Sequence, residues 1–170
     1  MRLEETYEEH MNKLKRTALP ALILCFLAFS QQVVAIESDT YSLYFDVNGL
    51  SKHLDTDYDY NEKNDGFGLT AENNNNGNVK KLIAGTFINS FNDRTIYLAT
   101  GRAKRFGNEY YADLGAIAGL MTGYDSTLFP MAAATLSLGK KGVGRINFTY
   151  NPTFGDHPSV ITMNIGIQFK

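Results

Sequence analysis

The chain closes on Ile161-Thr162-Met163-Asn164-Ile165-Gly166-Ile167-Gln168-Phe169, followed by Lys170. Ile161, Met163, Ile165, Ile167 and Phe169 fall on one side, and Thr162, Asn164, Gly166 and Gln168 on the other. That is the period of two that a β-strand imposes on its side chains. Residues 145–150 repeat it, with Ile146, Phe148 and Tyr150 opposed to Arg145, Asn147 and Thr149. Residues 66–72 repeat it more weakly, with Phe67, Leu69 and Ala71 against Gly66, Gly68, Thr70 and Glu72. After residue 36 there is no helical period and no long apolar run.

Such alternation fits a half-buried soluble sheet or a membrane barrel. Three features favour the membrane: an export signal at the N-terminus, one face that is small and polar while the other is greasy, and an aromatic residue near the C-terminus of the last strand. A soluble lipocalin-like barrel, with its apolar residues inside, is the structural alternative. The spacing predicts eight antiparallel strands near 41–53, 65–72, 78–89, 94–103, 109–121, 128–138, 143–151 and 159–169. A tilted strand needs about 9–11 residues to cross the hydrocarbon. The expected fold is an all-β, up-and-down transmembrane β-barrel of eight strands, with both chain ends on the periplasmic side. Its interior is filled by side chains or holds one small ligand, which argues against a general pore.

Residues 1–35 read as a signal peptide. Lys13, Lys15 and Arg16 form a basic start, and residues 17–30 form an apolar stretch short for a bilayer. Val33-Val34-Ala35 supplies small residues for cleavage, so the barrel domain is expected over 36–170. Glu4, Glu5, Glu8 and Glu9 are unusual before such a segment, and Met11 is a candidate start. An uncleaved anchor is the alternative. Cys25, the single cysteine, lies in the apolar stretch, so the exported part carries no thiol and no thiolate metal site. With a net charge of −2, the chain gives no electrostatic reason to bind nucleic acid.

Two histidine–serine pairs reach the expected outer rim. His53 ends the first strand, and Asn89-Ser90 ends the third. A histidine beside a serine is the minimum for acyl chemistry, because the imidazole takes a hydroxyl proton as the acyl carbon is attacked. The plainer reading is two solvated rim residues. The rival pair is His157-Pro158-Ser159 in the last outer loop, suggestive of a lipid A deacylase; its plainer reading is a polar loop.

These residues resemble the PagP family of outer-membrane lipid A palmitoyltransferases. Tyr60-Asn61-Glu62 followed by Gly66-Phe67-Gly68-Leu69 resembles that family's Tyr-Asn-Glu stretch and Gly-rich second strand. Phe87-Ile88-Asn89-Ser90-Phe91-Asn92 is similar to the segment that holds its catalytic Asp-Ser pair. Leu114-Gly115 to Gly119, Tyr150-Asn151-Pro152 and Ile167-Gln168-Phe169 resemble its fifth strand, a lateral opening and its C-terminal ending. The resemblance covers nearly all of residues 36–170, in order. It implies a transferase that moves a palmitoyl chain from a phospholipid donor to lipid A, at a site facing the outer surface of a Gram-negative cell. It implies no metal or cofactor, and the closed barrel has no edge that requires a partner, so a monomer is expected. The resemblance also implies a role in resisting antimicrobial peptides.

Residue by residue, the resemblance puts His53 at the catalytic histidine, Ser90 at the catalytic serine and Asn89 at the catalytic aspartate. It puts Gly101 at the floor of the acyl pocket and Pro152 at the lateral opening. About eight residues of tilted strand descend roughly 20 Å, a depth suited to a long acyl chain. Gly101 equally suits the relief of crowding in a narrow barrel. Asn89 departs from the family because it cannot ionise; it is left to donate to an oxyanion or to orient Ser90. The family's N-terminal amphipathic helix is missing. Strict alternation in the first strand would turn His53 toward lipid with Leu43, Phe45 and Val47, so a bulge at Asn48-Gly49 is expected. Non-catalytic alternatives, a lipid-binding or structural barrel, remain open.

Overall fold

The computed structural model describes residues 41–54, 56–124, 127–153 and 158–170. The expected segment over residues 1–35 lies outside them. Eight strands follow in order: β1 Tyr41–His53, β2 Lys63–Asn75, β3 Asn78–Ile88, β4 Arg94–Gly107, β5 Tyr110–Tyr124, β6 Thr127–Lys140, β7 Gly144–Asn151 and β8 Val160–Gln168. Each pairs antiparallel with the next, and β8 returns to β1 to close the barrel. β2 runs further at both ends than the 65–72 expected. Its lower end continues through the asparagine run because Asn76-Gly77 turns tightly into β3. Both residues have positive φ, 50° and 78°, the two-residue hairpin geometry that Asn-Gly favours.

The two faces of the wall are inverted relative to a soluble protein. Outward positions carry Phe45, Val47, Phe67, Leu69, Ile96, Leu98, Leu114, Leu138, Ile165 and Ile167, all exposed. A large apolar side chain left in water forfeits roughly 1.5–3 kcal/mol, so a continuous band of them is stable only against hydrocarbon. Inward positions carry Asp46, Thr70, Glu72, Lys81, Asp113, Ser137 and Arg145, all buried. This excludes the lipocalin-like alternative, whose apolar residues would point inward. The chain is an eight-stranded transmembrane β-barrel of outer-membrane type.

At the end of the barrel that holds the tight turns, the interior is filled by charge. The Arg105 guanidinium meets both oxygens of Asp113 at 2.7 Å and Oε1 of Glu72 at 2.5 Å. Arg145 donates to Glu72 from the other side. Lys81 lies 3.7 Å from Glu72 and 3.6 Å from Asp113, and donates to Ser137 at 3.3 Å. Arg105 and Arg145 also lie over the rings of Tyr111 and Tyr44, at 3.7 and 3.8 Å. Three cations, Lys81, Arg105 and Arg145, balance three anions, Asp46, Glu72 and Asp113. Buried charges persist in this way only when paired and hydrogen-bonded. The cluster spans β1 to β7 and plugs that half of the barrel.

Candidate functional site

The site lies at the opposite rim, where β1 ends. Along β1, Tyr44 and Asp46 face inward while Phe45 and Val47 face lipid. Pairing to both neighbours shifts register between Asn48 and Leu50, leaving Gly49 as the extra residue. Beyond this bulge Leu50 faces outward and Ser51 and His53 turn inward and are buried. The bulge thus reverses the parity that strict alternation would give His53.

β3 ends at Ile88, and the chain turns through Asn89 to Asp93 into β4. Ser90 is carried on this turn, and its Oγ lies 2.8 Å from Nε2 of His53. Tyr124, at the end of β5, is also hydrogen-bonded to the Ser90 side chain. The Tyr60 ring stacks on the imidazole, with centroids 4.3 Å apart and planes 20° apart. Phe91 meets Tyr60 and Tyr124 edge-on, at 5.7 and 5.9 Å. The Nδ1 of His53 has no hydrogen-bond partner, and so no orienting carboxylate, among the described residues.

Asn89 occupies the position of the expected acid and is fully buried. Its Oδ1 accepts from the backbone N–H of Phe91 and Asp93 at 2.9 and 3.0 Å. Its Nδ2 donates to Thr95 Oγ1 at 3.2 Å and to the Gly123 carbonyl at 2.7 Å. All the hydrogen-bonding capacity of the amide is spent on holding the turn that presents Ser90, and none is directed at a reacting oxygen. Asparagine suits this place better than aspartate because it needs two donors as well as an acceptor.

The loop between β1 and β2 is fastened to the same turn. Asn61 donates from its backbone to the Ser90 carbonyl at 3.0 Å and from its side chain to the Asn89 carbonyl at 3.0 Å. Lys52 and Glu62 pair at 2.9 Å across the loop base. That ammonium, hydrogen-bonded to Glu62, holds its carboxyl below the usual carboxylate range.

Gly101 faces inward, in register with Lys81 on one side and Ile117 on the other. A Cβ there would come within 2.8 Å of Ile117 Cγ2 and 3.0 Å of the Ala116 carbonyl. Its missing side chain makes room for Ile117, which is the crowding reading, and the layer beside it is the charged cluster. Gly68 and Gly85 similarly make room for the Tyr97 hydroxyl, which lies 2.7 and 2.6 Å from where their Cβ atoms would be.

Pro152 follows β7 directly and is exposed. Among the described residues the β6–β7 ladder begins at Ala134↔Tyr150 and continues to Lys140↔Gly144. The portion of β6 from Leu128 to Ala133 has no registered partner on that side. Pro130 lies in this portion, in register with Leu120 of β5. A proline has no N–H for a ladder and belongs on an edge, and Pro130 and Pro152 both stand beyond the rim end of the described β6–β7 ladder. Sequence reasoning missed Pro130; its signal was a proline inside an otherwise regular strand. It also missed Tyr124, whose contact with Ser90 joins residues far apart in the chain.

Of the rival pair, His157 lies outside the described residues. Ser159 is buried, and its carbonyl accepts from the Leu54 backbone at 2.9 Å.

No protein-family model matches the chain, and no curated protein sequence does. Among solved structures, the crystal structure of Neisserial surface protein A (NspA) is similar with a TM-score of 0.49 at 11% identity, covering 77% of this chain and 96% of that one. The crystal structure of Ail, the attachment invasion locus protein of Yersinia pestis, is similar with a TM-score of 0.42 at 19% identity, covering 76% and 97%. These likenesses extend to the fold alone.

Proposed function

We propose that this outer-membrane barrel handles lipid at its outward rim and that His53 and Ser90 act there on an acyl ester. The observation that carries the reading is the 2.8 Å contact between His53 Nε2 and Ser90 Oγ, a hydrogen bond between a base and a hydroxyl at the distance acyl chemistry needs. The resemblance to the PagP family supplies the finer statement: a palmitoyl chain passes from a glycerophospholipid to lipid A. In that reaction His53 accepts the proton of the attacking lipid A hydroxyl. The hydroxyl oxygen bonds to the acyl carbon, the ester bond to glycerol breaks, and the proton leaves with the glycerol oxygen of the lysophospholipid. Ser90 binds or orients the ester, and the boundary of β6 and β7 near Pro130 and Pro152 is the route from the bilayer in this reading. The site faces the outer surface in this reading.

A second reading is a non-catalytic lipid-binding or structural barrel. Two observations favour it: Asn89 is wholly committed to the turn, and His53 Nδ1 meets no carboxylate among the described residues. It asks nothing of the rim beyond what the fold already supplies. The mass of lipid A from cells making the chain separates the two readings.

A further inference from the structure

Above His53 the loop between β1 and β2 encloses a groove of about 380 Å³, lined by Lys52, Tyr58, Asp59, Tyr60, Glu62 and Lys63 among others. Its walls are held in place. Tyr58 donates to Thr56 Oγ1 at 3.1 Å, Tyr60 donates to the Tyr58 carbonyl at 3.1 Å, and Asn61 ties the loop to Ser90. Tyr58 and Tyr60 form a wedge, with ring centroids 4.6 Å apart and planes 50° apart. Tyr60 is backed by His53, whereas Tyr58 is 65% exposed. The charges are unequally satisfied. Lys52 and Glu62 neutralise each other at 2.9 Å. Asp59 and Lys63 take part in no ion pair among the described residues.

The groove therefore offers ring faces, one anion and one cation. Ring faces beside a carboxylate suit an organic ammonium, which the ring quadrupole attracts. A lysine suits a phosphate as a point charge. We propose that this groove binds the headgroup of a zwitterionic phospholipid, with its alkylammonium against Tyr58, Tyr60 and Asp59 and its phosphodiester at Lys63. A lipid held there has its glycerol esters next to His53 and Ser90, so the inference names a donor class for the catalytic reading. It holds equally for a lipid-binding barrel, because binding needs no chemistry.

The test uses the full-length barrel refolded in octyl glucoside, a detergent without charge or ammonium. Binding of glycerophosphoethanolamine and of glycerophosphoglycerol is measured by calorimetry, then repeated with the dihexanoyl lipids of the same two headgroups. The expected result is a preference of about threefold to tenfold for the ammonium headgroup. Tyr58→Leu and Asp59→Asn remove the preference, Tyr58→Phe keeps it, and Lys63→Gln weakens all ligands alike. A preference seen with the lipids alone assigns the site to membrane lipid, and one seen with both includes the free headgroup. Equal binding of both headgroups in both forms, or a preference unchanged in Tyr58→Leu and Asp59→Asn, overturns the proposal. Either result leaves the His53–Ser90 reading to its own test, since lipid A mass is not measured here. Heat-modifiable mobility on gels confirms that each variant is folded.

Discussion

The Asn89 side chain donates to the Gly123 carbonyl across 2.7 Å, joining the turn after β3 to the end of β5. An ionised aspartate has no proton to give, so Asn89→Asp sets a carboxylate oxygen against a carbonyl oxygen inside the wall. The expected outcome is a loss of about 1–3 kcal/mol of stability, read from the urea midpoint of the refolded barrel, with no gain in lipid A modification. A variant more active than the parent would show that position 89 lacks an acid rather than needs an amide.

Gly101→Ala tests crowding against pocket depth. The new methyl meets Ile117 Cγ2 at 2.8 Å, and overpacking of this kind costs about 1–3 kcal/mol. Ile117→Ala should recover most of that loss in the double variant, as contacting residues couple. Additive losses would mean that Ile117 does not occupy the space that Gly101 leaves.

The alternation in residues 161–169 and 145–150 was enough to place the last strands, and it extended to the others because a barrel wall repeats one rule: greasy outside, polar inside. The bulge was expected from the resemblance, which needs His53 inside, and His53 could reach the interior only if Asn48-Gly49 broke the parity. The charged plug was not legible. Asp46, Glu72, Lys81, Arg105, Asp113 and Arg145 each occupy one inward position on a different strand, and only barrel closure brings them together. Asn89 was legible as a member of the site but not as its frame, because its partners Thr95 and Gly123 are set by tertiary geometry. Pro130 was not singled out, since its register against Leu120 and its place beyond the described β6–β7 ladder are set only by the folded barrel.

The bulge can be read by site-directed labelling, because residues 36–170 contain no cysteine. Spin labels at Val47→Cys and Leu50→Cys should be accessible to lipid-dissolved oxygen, and one at Ser51→Cys should not. Unbroken alternation predicts the reverse at the last two positions.

The charged cluster should close the barrel to ions. The refolded protein is expected to show no conductance steps in planar bilayers. Glu72→Gln removes the carboxylate shared by Arg105 and Arg145, and breaking a buried charged pair costs about 3–5 kcal/mol. A change in urea stability under about 1 kcal/mol would mean that solvent already screens the cluster.

The proposed acyl site of His53 and Ser90 has a direct readout in the mass of lipid A. Lipid A is extracted from cells expressing the full chain and compared with His53→Ala and Ser90→Ala, each shown folded in the outer membrane. The expected result is a gain of one palmitoyl mass that both substitutions abolish. Unchanged lipid A with the folded parent protein would contradict it and leave a non-catalytic barrel, and loss of an acyl chain would point to a deacylase instead.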